Sequence, residues 1–264
     1  MKRKLITVLL TVFCTVGAFA QYNPPAGGAD IHQFYSPLFL ARGDSVTSLE
    51  TPEADTMNPA VSGANQRSVL DLSYIGISGF NSAAGDGWLG HAANLGVSYP
   101  TRAGVISGSL HFLSSYAPSM MLGTNFGLRV SFAKDLYPYL LVGAGLNLDA
   151  GGLNTTSYGA SVDLGALVLP GTIGPFQDLR WGIALTTLGV PYTPVPGNSP
   201  VPAAFTPAVG AAFNLIKTDS VRLGLSGNLS FPSFQDVRFN AGGTVSLFDT
   251  VDLNFGWQTD LRGL

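Results

Sequence analysis

From Asn125 onward, apolar and polar residues alternate with a period of two, the spacing at which successive side chains point to opposite faces of a strand. Val221, Leu223, Leu225, Leu229 and Phe231 fall on one face, and Arg222, Ser226, Asn228 and Ser230 on the other. Val237, Phe239, Ala241, Val245 and Leu247 oppose Arg238, Asn240, Thr244 and Ser246 in the same way, and Val251, Leu253, Phe255 and Trp257 oppose Asp252, Asn254 and Gln258. Earlier segments follow suit: Phe126, Leu128, Val130 and Phe132 against Arg129 and Ser131; Tyr158, Ala160, Val162 and Leu164 against Ser161 and Asp163; Leu179, Trp181, Ile183 and Leu185 against Arg180 and Thr186. No charge sits on the apolar side of these segments. A soluble sandwich would carry Lys and Glu on its outward face, whereas an Arg or Lys facing lipid at mid-bilayer costs ~2–4 kcal/mol. The pattern therefore predicts an all-β fold, a transmembrane antiparallel β-barrel with hydrocarbon against the apolar face and a lumen lined by Gly, Ser, Asn, Thr and scattered charges.

Segments of a length suited to a tilted bilayer crossing number about eleven, starting near Ser68, His91, Gly104, Thr124, Pro138, Thr156, Leu179, Pro207, Val221, Asp236 and Val251. Tight connections at Pro100 to Ala103, Asp135 to Tyr137, Lys217 to Ser220 and Asp249-Thr250 contrast with longer ones at Phe80 to Gly90, Ser115 to Gly123 and Val190 to Phe205. Short periplasmic turns and longer external loops are the barrel habit; Pro170 to Asp178 is longer than that parity expects. Tyr99, Phe132, Tyr137, Tyr139, Phe231 and Trp257 lie near strand ends, as interfacial girdles do, although rings filling the corners of a soluble core would look the same.

The chain starts Met1-Lys2-Arg3-Lys4, turns apolar from Leu5 to Val12 and reaches Ala18-Phe19-Ala20, the order of a secretory signal cut before Gln21. Its apolar core is short of the ~20 residues a membrane helix needs, and no later run is long enough. The sole cysteine, Cys14, follows bulky Phe13, which disfavours lipid attachment, so it is expected to leave with the signal and to remove disulfides and thiolate metal sites with it. Only 11% of residues are charged, against ~25% for an average soluble domain, and a net charge of −3 gives no basic face for nucleic acid. The expected organisation is a signal over 1–20, a separate segment over 21–67 and the barrel over 68–264.

That middle segment holds Pro24-Pro25-Ala26-Gly27-Gly28, a weak helical stretch from Ile31 to Ala41, and a mostly polar run to Asp55. It is too long for a simple connection and would suit a plug of the lumen. Ala41-Arg42-Gly43-Asp44-Ser45-Val46, followed by Glu53-Ala54-Asp55-Thr56-Met57-Asn58-Pro59-Ala60-Val61-Ser62-Gly63, resembles the start of the FadL-like outer-membrane barrels. These include the long-chain fatty acid transporters, the PorV/PorQ proteins of Bacteroidetes and an uncharacterised spirochaete group. The resemblance implies a hatch inside a fourteen-stranded barrel, with Asn58, Pro59 and Ala60 as the hatch motif just ahead of the first strand. Eleven segments against fourteen leaves open a missed strand, a shortened chain or a different arrangement of closure.

Little in the sequence points to catalysis. His32, His91 and His111 are scattered without metal-ligand spacing, no Gly-x-Ser-x-Gly elbow occurs, and no cofactor is expected. Arg129, Asp163, Arg180, Arg222, Arg238 and Asp252, with Asp149, are the lumen-facing candidates, read as mutual pairs that set the interior field. Asp86-Gly87-Trp88 and Met120-Met121-Leu122 fall in segments expected to be external loops, suited either to gripping an apolar substrate or to folding over the barrel mouth. The chain is expected to be no enzyme but an outer-membrane transporter or channel for hydrophobic small molecules such as fatty acids, in contact with outer-membrane lipid. Two alternatives stand beside it: a non-transporting barrel docked to a protein partner in secretion or surface assembly, as the PorV likeness implies, and a secreted soluble β-protein.

Overall fold

The computed structural model describes residues 34–81, 85–115, 123–153, 155–190, 193, 205–234, 236–248 and 250–260. The expected signal, the Pro24 to Gly28 stretch, His32, Met120-Met121-Leu122 and most of the Val190 to Phe205 connection lie outside the described residues. Among the described residues, eleven strands form one antiparallel sheet in simple sequence order: β1 (Val69–Asn81), β2 (Gly85–Pro100), β3 (Val105–Ser115), β4 (Thr124–Tyr137), β5 (Leu140–Gly152) and β6 (Ser157–Ile173) are followed by β7 (Phe176–Val190), β8 (Thr206–Lys217), β9 (Val221–Ser230), β10 (Arg238–Leu247) and β11 (Val251–Asp260).

Among the described residues the sheet is not closed: β1 and β11 are its two edges. Each strand reverses its predecessor, so with an odd count the two edges run in the same direction. An antiparallel ladder cannot join them directly. A short helix, α1 (Pro37–Ala41), packs against both edge strands. It starts on Ser36, whose Oγ accepts from the Leu38 amide at 3.1 Å, with Pro37 in the first turn, where its missing N–H costs nothing.

Alternation sorts the two faces as the period of two predicts. In β4, Phe126, Leu128, Val130 and Phe132 are exposed while Asn125, Arg129 and Ser131 are buried. Leu70, Leu72 and Tyr74 of β1, Leu146 and Leu148 of β5, and Leu253, Phe255 and Trp257 of β11 continue the exposed apolar face. Lys134 and Asp135 appear only where β4 runs out into its turn.

The other face carries the core, because residues 34–66 lie against it. Phe34, Tyr35, Phe39, Val46, Leu49 and Val61 from this segment meet inward apolar exceptions such as Leu113, Leu141 and Leu167. The inner side is thus a packed interior rather than an empty lumen. The segment folds as α1 and two 3-10 helices, Pro52–Thr56 and Pro59–Ala64.

Three expectations need correction. Asp86, Gly87 and Trp88 belong to β2, paired with Phe80, Gly79 and Ser78, and not to a loop; the register shift between Ile77 and Ser78 lets the ladder continue through these turn-prone residues. The connection around Pro170 is tight, because β6 runs to Ile173 and β7 starts at Phe176. Leu179 is buried rather than outward, since the ladder to β8 shifts between Gln177 and Arg180, where Asp178 takes a positive φ of 49°.

Candidate functional site: the anchored interior segment

The Asn58-Pro59-Ala60 motif acts as the joint between segment and wall. Asn58 caps the helix Pro59–Ala64, its Oδ1 accepting from the Ala60 amide at 3.1 Å, and Pro59 follows at the first helical position, where a proline is preorganised. The other end of the same amide donates to the Thr47 carbonyl at 2.8 Å and to the Ala166 carbonyl of β6 at 3.2 Å. Ala60 is fully buried. Two glycines make the approach feasible: a Cβ on Gly143 would lie 2.5 Å from the Pro59 carbonyl carbon, and one on Gly165 would collide with the Asn58 side chain.

Arg129 is the centre of the second anchor. Its side chain, 2% exposed, donates from Nε to Asp55 Oδ2 at 3.0 Å, from Nη2 to the Asp55 carbonyl at 2.6 Å, and from Nη1 to Asn147 Oδ1 at 2.6 Å and to Asp163. Asp55 is held further by Ser131 Oγ at 2.8 Å and Ser62 Oγ at 2.7 Å, and Asp163 Oδ2 accepts from Asn147 Nδ2 at 2.8 Å. One guanidinium thus bridges a carboxylate of the segment and a carboxylate of the wall. Taking such charges out of water costs several kcal/mol each, so the cluster persists only because nearly every lone pair finds a donor.

One of those donors is bought with backbone strain. The β6–β7 ladder shifts between Val162 and Leu164, leaving Asp163 opposite Thr186 and Thr187. Thr187 takes φ of 59°, an outlier for a β-branched residue, and its freed amide donates to Asp163 Oδ1 at 2.7 Å.

His111 Nε2 lies 3.2 Å from Asp149 Oδ1, both nearly buried, and the Tyr35 ring sits 4.1 Å from the imidazole. Glu53, on the helix Pro52–Thr56, is pushed above its ordinary 4.5 by burial first and by the charge of Asp71 second.

The remaining inward candidates divide. Arg180, Arg222 and Asp252 line one cavity of about 300 Å³ together with Arg42 and Glu50 of the segment. Arg238 lies at the opposite end of β10, its Nε 3.8 Å from Asp236 Oδ2. So Arg129 and Asp163 share one cluster, Arg180, Arg222 and Asp252 a second, and Arg238 neither.

Sequence reasoning misses Asp55, Arg42, Glu50 and Asn147 as functional partners. Asp55 and Arg42 lie in an aperiodic polar run, where no face is assigned by spacing. The signal present is complementarity: an acid and a base in a segment too long for a connection, opposite a strand set with inward Arg129 and Asp163. Among known proteins, no family model and no curated sequence matches this chain. The fold and the site define a class all the same: an all-β protein whose single antiparallel sheet holds its own N-terminal segment by buried polar joints.

Proposed function

We propose that the chain is an outer-membrane β-barrel protein of FadL-like type that passes hydrophobic small molecules such as long-chain fatty acids, with the segment before β1 as a hatch. The observation that carries this reading is the inverted sheet: large apolar side chains outward on strand after strand, and the paired charges inside. Water against so continuous an apolar face is unfavourable, since soluble monomers rarely expose apolar patches beyond a few hundred Å². Hydrocarbon removes that cost. In this reading the hatch opens by exchanging its polar joints at Asp55 and Asn58 for water.

Uptake of labelled long-chain fatty acid in a deletion strain, with and without the restored gene, tests transport. Loss of uptake on deletion and its recovery on restoration are expected; unchanged uptake counts against passage. A shift in gel mobility on heating tests separately whether the sheet, whose edges β1 and β11 do not pair with each other, is closed in the membrane, since closed barrels resist detergent until boiled.

A second reading is a non-transporting barrel that docks a partner of a secretion or surface-assembly machine. The number of joints favours it: Arg42 donates to Thr244 and Ser226, Thr47 to Asn228, and Asn58 and Asp55 tie the segment to β6 and β4. A plug fixed at so many points resists displacement. A stable protein partner recovered from detergent extracts, with fatty acid uptake unchanged by deletion, would favour this reading over the first.

A further inference from the structure

His111, Gly127 and Asp149 stand in one row across β3, β4 and β5, each directly opposite the next. Gly127 puts no side chain between the other two, and a Cβ there would collide with the imidazole. The gap lets His111 Nε2 come within 3.2 Å of Asp149 Oδ1 across the intervening strand. Tyr35 of the interior segment lies against the same imidazole, the ring centroids 4.1 Å apart, and all three side chains line one small chamber. A titratable pair of the wall is thus capped by a side chain of the segment.

The charges around this row come from several elements. Arg129 of β4 lines the same chamber but already serves two carboxylates, Asp163 of β6 and Asp55 of the segment. On β2 the residue opposite His111 is Asn94, which is neutral and donates to Asp71 of β1. Neither β3 nor β5 carries another titratable residue. Three carboxylates, Asp55, Asp149 and Asp163, therefore share this part of the interior with one guanidinium. With the imidazole neutral, Asp149 is a carboxylate held by a single side-chain bond among the described residues, and covering it from water is costly. One proton on the pair, on the ring or on the carboxyl, leaves no net charge to cover, and an imidazolium also gains the face of the tyrosine ring. Burial by itself disfavours a charged imidazole, but the alternative in the same place is a bare carboxylate, which burial disfavours too.

We propose that His111 and Asp149 form a proton-linked clasp for the interior segment, on which Tyr35 seats when the pair holds one proton beyond the bare carboxylate and neutral ring. Linkage is reciprocal: a contact that takes up a proton on closing is held closed by acid. The contribution of the clasp is present at low pH and is lost as pH rises through the range where imidazoles change charge, about pH 5 to 8. The clasp rests on the packing of the segment against the sheet, and not on transport or on what covers the outer face.

The test is digestion of the full chain in detergent between about pH 5.5 and 8, each rate divided by that of the urea-unfolded chain at the same pH to remove the response of the protease itself. E53Q serves as the parent, so that the carboxyl of Glu53 does not contribute. Cleavage within residues 34–66 is expected to rise about tenfold from the acid to the alkaline end, the change that one proton brings per pH unit of titration. H111Q, which keeps a donor for Asp149 but takes up no proton, is expected to give a flat profile, and D149N a flat or reversed one. Y35A, at the start of the segment and off the wall, is also expected to be flat and carries the test if neither wall variant assembles. No rise in the parent, or the same rise in any folded variant of the three, overturns the proposal. Fatty acid uptake and the heating shift are separate readouts that neither result touches.

Discussion

Arg129 of β4 donates from Nε to Asp55 of the interior segment at 3.0 Å, although 74 residues separate them in sequence. The same guanidinium also reaches Asp163 of β6, so one side chain ties the segment to two strands of the wall.

Replacing Arg129 by Met leaves Asp55 and Asp163 buried without a counter-charge. Breaking a buried pair from one side costs ~3–5 kcal/mol, so R129M is expected to lower the temperature at which the folded species is lost in detergent and to expose residues 34–66 to protease. D163N, which keeps the Arg129–Asp55 bond, should cost less.

At Gly143 a side chain would meet backbone, since its Cβ would stand 2.5 Å from the Pro59 carbonyl carbon. G143V is therefore expected to push the Pro59–Ala64 helix off the wall at a cost of ~1–3 kcal/mol, the usual range for overpacking. Gly108, whose nearest neighbour is the Arg129 carbonyl at 3.6 Å, accepts alanine without a clash. Limited proteolysis should show faster cleavage within 34–66 for G143V and an unchanged rate for G108A.

Glu53 provides a test with a defined sign. Its folded pKa is raised above the ordinary 4.5, so its contribution to stability is fully present below that value and is lost as pH rises through the raised one. E53Q should therefore hold the segment more firmly than wild type at neutral pH, and the advantage should vanish as pH falls to the ordinary carboxylate range. Protease resistance of residues 34–66 measured across that window reads the difference, with other acids common to both proteins.

Thr187 pays for its bond to Asp163 with a positive φ. Glycine keeps the amide donor and removes the strain, worth ~1 kcal/mol or somewhat more for such a residue, against which it adds unfolded-state entropy. T187G is expected to be neutral to stabilising in detergent melts, whereas loss of a surface threonine with ordinary backbone would not be.

The wall was legible because parity alone assigns a face: once Phe126, Leu128 and Val130 mark the apolar side, Arg129 must turn inward, and so must Asp163 between Val162 and Leu164. Parity fails where the ladder shifts. Leu179 changes face at the Asp178 irregularity, and Trp88 follows Gly85, Asp86 and Gly87, residues whose turn preference is overridden by pairing with β1. Arg42 and Asp55 carry no periodic signal, since 3-10 turns and bends present side chains without a fixed repeat; their partners lie far away in sequence and emerge only when the sheet wraps the segment. The Asn58-Pro59-Ala60 motif is legible as a helix start by its cap chemistry, but Gly143 and Gly165 as the surfaces that receive it are not.

In the membrane reading proposed above, hydrocarbon covers the face bearing Leu72, Leu128 and Leu253, which stand 77%, 37% and 57% exposed in the isolated chain. Single cysteines at these three positions, carrying an environment-sensitive fluorophore, would be reconstituted in vesicles and challenged with lipid-borne and aqueous quenchers in turn. Quenching by the lipid-borne group and protection from the aqueous one are expected at all three positions. Quenching by the aqueous reagent alone would contradict it.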